Sequence, residues 1–496
     1  MLVVISDLHL IDGTIGNHNV PPEWFRLFFC DWIPTLVERK KAKELKVLLM
    51  GDIVDLIRTE QWLDIDISDR PWGENGRRDI KNVVDNQPLD ESRTEERCLQ
   101  ILGDPHNPKE NTIFRQNQEL FDIFTGEDSK QGFIQKIKRK QGDDFKVEII
   151  YIPGNHDRLC NLYPKLRDWL KNQLNLTVNE HTVEGEPKGD WWFSYQFKDE
   201  AYGVFARHGH EYDPWNYGNP HDFPHHISEG YPRVEQLQVP IGDVIATEFA
   251  VKLPKLLRTK DFPNKQQVID HLEQMDNVRP TSNVFEFFLS DLSNRTNQKV
   301  KEELENALDE TLNSFVDITR QQWQYPMTLG GKMARIFSAP WLKWWRSNPH
   351  LMQFSEDVSE TLLPYFGMAE EKLTDPTKDP HTKAAYNEKA WKNNKSIRYI
   401  LYGHTHNPLI HPLEHRNPVG SISEAEAIYI NTGTWRNRIT KTVAFERNFE
   451  AHPHFVPLEQ ITYVVFYRED EDPGKEPHLT SFDMWTGSTM KTYMEG

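Results

Sequence analysis

The chain has 496 residues and a formal charge of −18, with 27% charged and 37% hydrophobic residues. That length can bury a large core, as one domain with insertions or as two or three domains. The acidic balance excludes a general nucleic-acid binder, which sets clustered Lys and Arg against phosphates, and leaves room only for a local basic cleft.

The opening "MLVVISD" is already a strand. It reaches Asp7 without a basic n-region or a long apolar core, so no ordinary signal peptide is expected. Nowhere do 18 apolar residues run together, and no membrane span is expected. Cys30, Cys98 and Cys160 are widely spaced, odd in number and never part of a CxxC. Neither a disulfide framework nor a cysteine zinc site is expected, and a cytoplasmic location fits.

Along the chain, short runs rich in Val, Ile, Tyr or Phe end in polar turns, the pattern of buried strands. "LVVIS" leads into Asp7 and His9 of "SDLHL". "PEWFRLFFCDWIPTLVERKKAKEL" has apolar residues near helical spacing and a basic end. "VLLM" then leads into Gly51, Asp52 and Asp55 of "GDIVD". Strand, helix, strand predicts a βαβ unit and a partly parallel sheet.

Residues 58–140 are polar with helix-like pieces and a turn at "GEDSKQG", and read as an insertion near the rim of a site. "VEIIYIP" leads into Gly154, Asn155, His156 and Asp157 of "GNHD". "DWWFSYQF" reads as a half-buried strand, and "YGVFAR" leads into His208 and His210. Residues 212–395 are mostly helical in pattern, in pieces separated by prolines and by "LTDPTKDPHTK", and read as an inserted helical cap. "RYIL" leads into His404 and His406 of "YGHTH", and "AIYI" into "NTGTWR", which brings Trp435 and Arg436 near the same edge. "ITYVVFYRED" and "TSFDMW" read as closing strands, and no internal repeat is visible. The core is therefore expected to comprise 1–57, 141–211 and 396–496.

Ligands of such sheets gather beyond the carboxyl ends of the strands. The polar residues at those ends are Asp7, His9, Asp52, Asp55, Asn155, His156, Asp157, His208, His404 and His406. Carboxylates, one amide and several imidazoles without a thiolate suit Mn²⁺, Fe²⁺, Zn²⁺ or Co²⁺ and disfavour a closed structural zinc. The donors are too many for one ion, so two ions sharing a carboxylate are expected. Cations would also mask the charge of an acidic protein that handles phosphates. His221, His225 and His226 of "HDFPHH" lack helical spacing and read as a cap loop rather than a third metal site. "LKWWRS" (342–347) reads as tryptophans buried on a helical core rather than a lipid-facing patch.

DxH, GDxxD, GNHD, an isolated His before Gly, and GHxH, in this order, resemble the calcineurin-like metallophosphoesterases. The resemblance covers roughly 1–57, 145–211 and 396–445 and is silent on the two insertions. It implies an α/β fold, a four-layer αββα sandwich, and hydrolysis of a phosphate mono- or diester by a hydroxide shared between two cations, manganese favoured. It also implies roles by position. Asp7, His9 and His406 would hold one metal; Asn155, His208 and His404 the other; Asp52 would bridge. His156 would be the general acid and Asp55 its orienting partner. Gly51, Gly154 and Gly403 would let the backbone turn sharply. Arg158, His210 and Arg436 are candidate contacts to a phosphorylated small or medium-sized substrate.

Protein phosphatases of this family continue GDxVD with Arg-Gly, where this chain has Leu56 and Ile57. A protein substrate is thus disfavoured, and the acidic balance disfavours a nuclease. "SDLHL" and "GDIVDL" are similar to enzymes that cleave UDP-diacylglucosamine, which are about half as long. A non-enzymatic scaffold on the same fold is the contrasting expectation, although such scaffolds tend to lose ligands that are all present here.

Overall fold

A computed structural model describes residues 1–16, 20–89, 91–126, 132–177, 182–185, 190–213, 216–218, 234–279, 283–284, 287, 298–322, 379–413, 427–445, 451–471 and 480–489. "HDFPHH", "LKWWRS" and most of "LTDPTKDPHTK" lie outside these residues.

The architecture is mixed α/β, built on two large sheets. In chain order the strands are β1 (Leu2–Ile5), β2 (Glu44–Met50), β3 (Lys146–Ile152), β4 (Thr182–Gly185), β5 (Asp190–Phe193), β6 (Phe197–Asp199) and β7 (Val204–Ala206). There follow β8 (Val278–Arg279), β9 (Tyr399–Tyr402), β10 (Leu409–Leu413), β11 (Ala427–Asn431), β12 (Trp435–Phe445), β13 (Ala451–Tyr467) and β14 (Ser481–Thr489). The first sheet runs β3-β2-β1-β13-β12-β8, with β14 paired on β13. The second runs β10-β11-β9-β7-β6, and β4 and β5 form a separate pair.

β1, β2 and β3 are mutually parallel, as are β7, β9 and β11. Each trio therefore delivers its carboxyl ends to one edge. Side chains alternate across the first sheet. Leu2, Val4, Leu48, Met50, Ile150 and Ile152 face the second sheet, meeting Val204, Ala206, Leu401 and Ile430. Val3, Ile5, Val47, Leu49 and Ile149 face the opposite way, among helices. The outer face of the second sheet, with Phe205, Ile400 and Tyr429, packs on Ala385 and Trp391 of the helices Pro380–Asn387 and Lys389–Asn393.

Described parts of the two long intervening stretches share the core's apolar cluster. Trp62, Trp72, Cys98 and Phe121 from the first, and Leu253, Ile269 and Leu304 from the second, lie in the same apolar cluster as Val3 and Val47. The second stretch also supplies a strand to the first sheet, because β8 pairs with β12 at Val278–Ile439. Its two residues are too few to carry a readable alternation. "DWWFSYQF" divides into β5 and β6, which lie in different sheets, and Trp192 is buried rather than half-exposed.

The helix between β1 and β2 runs Pro22–Arg26, Leu27–Trp32, Ile33–Arg39, its middle wound as a π-helix. Pro34 has no N–H for the carbonyl four residues back, and Ile33 donates one residue further, to Phe28. Ala246–Val251 repeats the device ahead of Pro254, with Lys252 donating to Thr247.

No helix among the described residues is long and apolar enough to cross a membrane. Cys30, Cys98 and Cys160 are buried and unpaired by disulfides, and burial pushes each thiol above its usual range. A buried thiol that stays protonated is a poor nucleophile. Ellman's reagent is therefore expected to titrate none of the three in the native protein and all of them in guanidinium; rapid native labelling would contradict this packing.

Candidate metal centre

The carboxyl ends of β1, β2, β3, β7 and β9 are followed by Asp7, Asp52, Asn155, His208 and His404. Backbone bonds lock these turns together. Asp7 N–H donates to Gly51 O (3.1 Å), His9 N–H to Asp52 O (2.8 Å), and Gly403 N–H to His208 O (2.8 Å). The His404 N–H lies 3.1 Å from both Asp7 carboxylate oxygens.

The side chains form three triads whose donor atoms lie within 4.8 Å of one another: Asp7–His9–His406, Asp52–His208–His404 and His9–Asp55–His156. His9 Nε2 and His406 Nε2 are 3.0 Å apart, and Asp7 Oδ1 is 3.4 Å from His406 Nε2. Asp52 Oδ2 sits between the first two triads, 3.1 Å from His208 Nε2 and 3.6 Å from His9 Nε2. Asn155 joins the second through His404 Nδ1 at 3.1 Å. Asp55 spans two rings, its Oδ1 2.9 Å from His156 Nδ1 and its Oδ2 3.1 Å from His9 Nδ1.

The donor set fits divalent cations. His208 Nδ1–H donates to the Met50 carbonyl at 2.9 Å, which turns Nε2 toward Asp52 Oδ2 at 3.1 Å; burial disfavours its charged form, but Asp52 and Asp7 outweigh it and raise this ring's pKa to about 10. Burial lowers the pKa of His9 to about 4 and also lowers those of His404 and His406, so these rings stand neutral with a lone pair to give. Burial likewise raises the Asp7 carboxyl to about 7; His208 opposes this and the Asp52 carboxylate adds to it. Two buried carboxylates facing several imidazoles are stabilised by a cation.

His156 behaves otherwise. Burial disfavours its imidazolium, but Asp55 and Asp52 outweigh burial and raise the pKa to about 9. It is a protonated acid at neutral pH, aligned by Asp55 and by its own N–H, which donates to Asp52 Oδ1 at 2.8 Å.

Of the three glycines expected to supply sharp turns, only Gly51 has a left-handed φ, +80°. The ligating candidates themselves take that conformation: Asp7 (φ 55°), His9 (46°), Asp52 (52°), His404 (65°) and His406 (57°). Each such non-glycine residue costs on the order of 1–3 kcal/mol, and strain of this kind gathers at functional sites. Gly154 and Gly403 are required for space. A Cβ on Gly154 would lie 2.2 Å from Asp52 Oδ1, and one on Gly403 2.5 Å from Asp7 Oδ2. Gly154→Ala is expected to cost about 1–3 kcal/mol by overpacking and to displace Asp52. A thermal melt and a manganese titration check this; unchanged affinity in a folded variant would refute the fit.

No family model, curated protein or solved structure matches the chain.

The three expected substrate contacts, Arg158, His210 and Arg436, are all buried. Arg158 is buried, with Nη2 2.5 Å from Asp243 and Nη1 donating to Asn155 O; it braces the loop that carries Asn155. Arg436 is buried too, 2.8 Å from Asp276. Trp435 does not line a cleft but stacks on Phe25 in the core, its Nε1–H donating to Thr462 O. His210 is buried, neither ring nitrogen hydrogen-bonded, 5.4 Å centroid to centroid from His208. Asp157 has a structural task, accepting from Gly154 N–H (2.6 Å) and Ile53 N–H (2.8 Å).

Asp213 and Asn216, which no motif signalled, and Asn431 and Thr434 of "NTGTWR" complete the surroundings. Asp213 Oδ2 is 3.0 Å from His404 Nε2, and Asn216 Oδ1 accepts from Asn155 Nδ2 at 3.3 Å. Thr434 donates to the Asp7 carbonyl (2.7 Å), and Asn431 to the Gly403 carbonyl (2.8 Å).

Proposed function

We propose that the chain is a phosphoesterase of the calcineurin-like type, an αββα sandwich hydrolysing a phosphate mono- or diester with two divalent cations, manganese favoured. Asp7, His9 and His406 would hold one cation, Asn155, His208 and His404 the other, and Asp52 would serve both. The observation that carries this reading is Asp52 Oδ2, within 3.6 Å of an imidazole nitrogen of each set. Bound cations would supply charge neutralisation of the phosphoryl oxygens and a nucleophile at neutral pH.

The chain's own residues do the rest. His156 holds a proton beside the cluster and gives it to the departing oxygen. Asp55 accepts from both His156 and His9, so it fixes the acid's orientation relative to the ligands. The five left-handed residues and the inter-turn backbone bonds hold the donors in place before any ligand arrives.

The test is hydrolysis of p-nitrophenyl phosphate and bis-p-nitrophenyl phosphate by protein incubated with Mn²⁺. Turnover of either is expected, and the ratio assigns monoesterase or diesterase character. Turnover of neither by protein carrying two manganese ions would leave a scaffold and end this reading.

A further inference from the structure

Arg58, Arg279 and Arg436 come from the turn after "GDIVD", from β8 and from β12, yet they meet around one residue, Asp276. Asp276 Oδ2 is 2.6 Å from Arg58 Nη1 and 2.8 Å from Arg436 Nη2. Arg279 Nη1 donates to the carbonyls of Asp276 (2.7 Å) and Val278 (2.9 Å), and its Nη2 lies 3.2 Å from His406 Nδ1. Arg58 Nη1 is also 3.6 Å from Asp55 Oδ2. The cluster therefore abuts the Asp7–His9–His406 triad on one side and the His156–Asp55 pair on the other.

The Asp276 carboxylate serves both Arg58 and Arg436 while Arg279 holds its backbone carbonyl, and Asp55 is already engaged by His9 and His156. Arg58 and Arg436 are 3% and 1% exposed, both lean on the same Asp276 oxygen, and Arg436 Nε–H donates to Asn277 Oδ1 at 3.2 Å. Burial, followed by the crowding of Arg58, pulls the Arg436 guanidinium down to about 9. Buried guanidiniums are costly without an anion, and Arg58 and Arg436 draw on one shared carboxylate, which a second anion could replace. The Asp276 side chain is 33% exposed, so the cluster opens outward at that point. Guanidinium forks match phosphoryl oxygens in geometry and charge.

We propose that Arg58, Arg279 and Arg436 form an anion subsite that receives a second phosphoryl group of the substrate, at the place Asp276 now occupies. The assignment of that anion to the substrate rests on the phosphoesterase reading; the anion site itself does not. The substrate class is then a diphosphate ester or a polyphosphate rather than an isolated monoester.

The test is calorimetric titration of the full chain with inorganic pyrophosphate and with orthophosphate, in EDTA. Pyrophosphate is expected to bind more tightly than orthophosphate. Arg279→Ala is expected to weaken it by about 10–100-fold, the loss of a charged hydrogen-bonding partner. Arg279→Lys should restore part of the affinity. Asp276→Asn removes the competing carboxylate and should tighten pyrophosphate binding, whereas a purely structural ion pair would loosen. With manganese, Arg279→Ala should lower the kcat/KM ratio of a nucleoside diphosphate to p-nitrophenyl phosphate. Pyrophosphate bound no better than orthophosphate, or unaffected by Arg279→Ala in a folded variant, overturns the subsite. Arginine-dependent pyrophosphate binding in a chain that hydrolyses nothing would keep the subsite and end the phosphoesterase reading.

Discussion

Replacing His156 by alanine is expected to lower turnover of an alkyl phosphate ester by about 10²–10⁴-fold, and of p-nitrophenyl phosphate far less. The difference arises because an alkoxide needs a proton to depart and p-nitrophenolate scarcely does. His156 suits the task because Asp55 Oδ1 lies 2.9 Å from its Nδ1, leaving Nε2 to face a leaving group. Its pKa of about 9 keeps the acid form through neutral pH, and that form is lost as pH rises through this value. Asp55→Asn removes the carboxylate that holds the proton, so the alkaline limb of the rate profile is expected to move to lower pH. Manganese content decides between acid and ligand. His156→Ala should retain both ions, and loss of metal would make His156 a donor in the His9–Asp55–His156 triad instead.

Asp52→Asn is expected to abolish activity, by about 10³-fold or more, the scale of several kcal/mol of lost charge stabilisation. Bound manganese should fall below two per chain, measured by elemental analysis after dialysis. The carboxylate is placed to touch both sets of donors, and its other oxygen accepts from the His156 N–H. One substitution therefore loosens the metal donors and the acid loop together. A variant that kept two ions and near-normal turnover would refute a shared role for Asp52. Chelation of the parent should mimic the variant reversibly, with recovery on adding Mn²⁺.

The strand-end donors were legible because each follows a short apolar run, and burial of both sheet faces leaves little choice of structure for such runs. "LVVI", "VLLM" and "EIIYI" became β1, β2 and β3 for that reason, and they present Asp7, Asp52 and Asn155 at one edge. The arginines around Asp276 were not legible as a group. Their meeting depends on β8, two residues long, and on a helix-rich stretch folding back onto the first sheet. Arg158 and Arg436 are candidate substrate contacts by sequence position, and their acidic partners Asp243 and Asp276, far off in the chain, could not be foreseen. Asp213 was hidden for a related reason, since its contact to His404 joins chain segments 191 positions apart. The left-handed φ of Asp7, His9, Asp52, His404 and His406 had no local signature, because glycine, the residue that usually announces such a turn, stands beside only Asp52 and His404.

The contacts from His9 to His406 and from Asp7 to the His404 backbone each span 397 positions. β1 also pairs with β13 through Phe466, Val465 and Val464. During synthesis on the ribosome, the first strand must wait beside β2 with one edge bare until β13 has emerged. Closing so large a loop is slow, and an open edge is exposed to wrong partners meanwhile. A nascent chain stalled before Gly403 would lack one donor of each set, His404 and His406, so both sets become complete together, only once that turn has emerged.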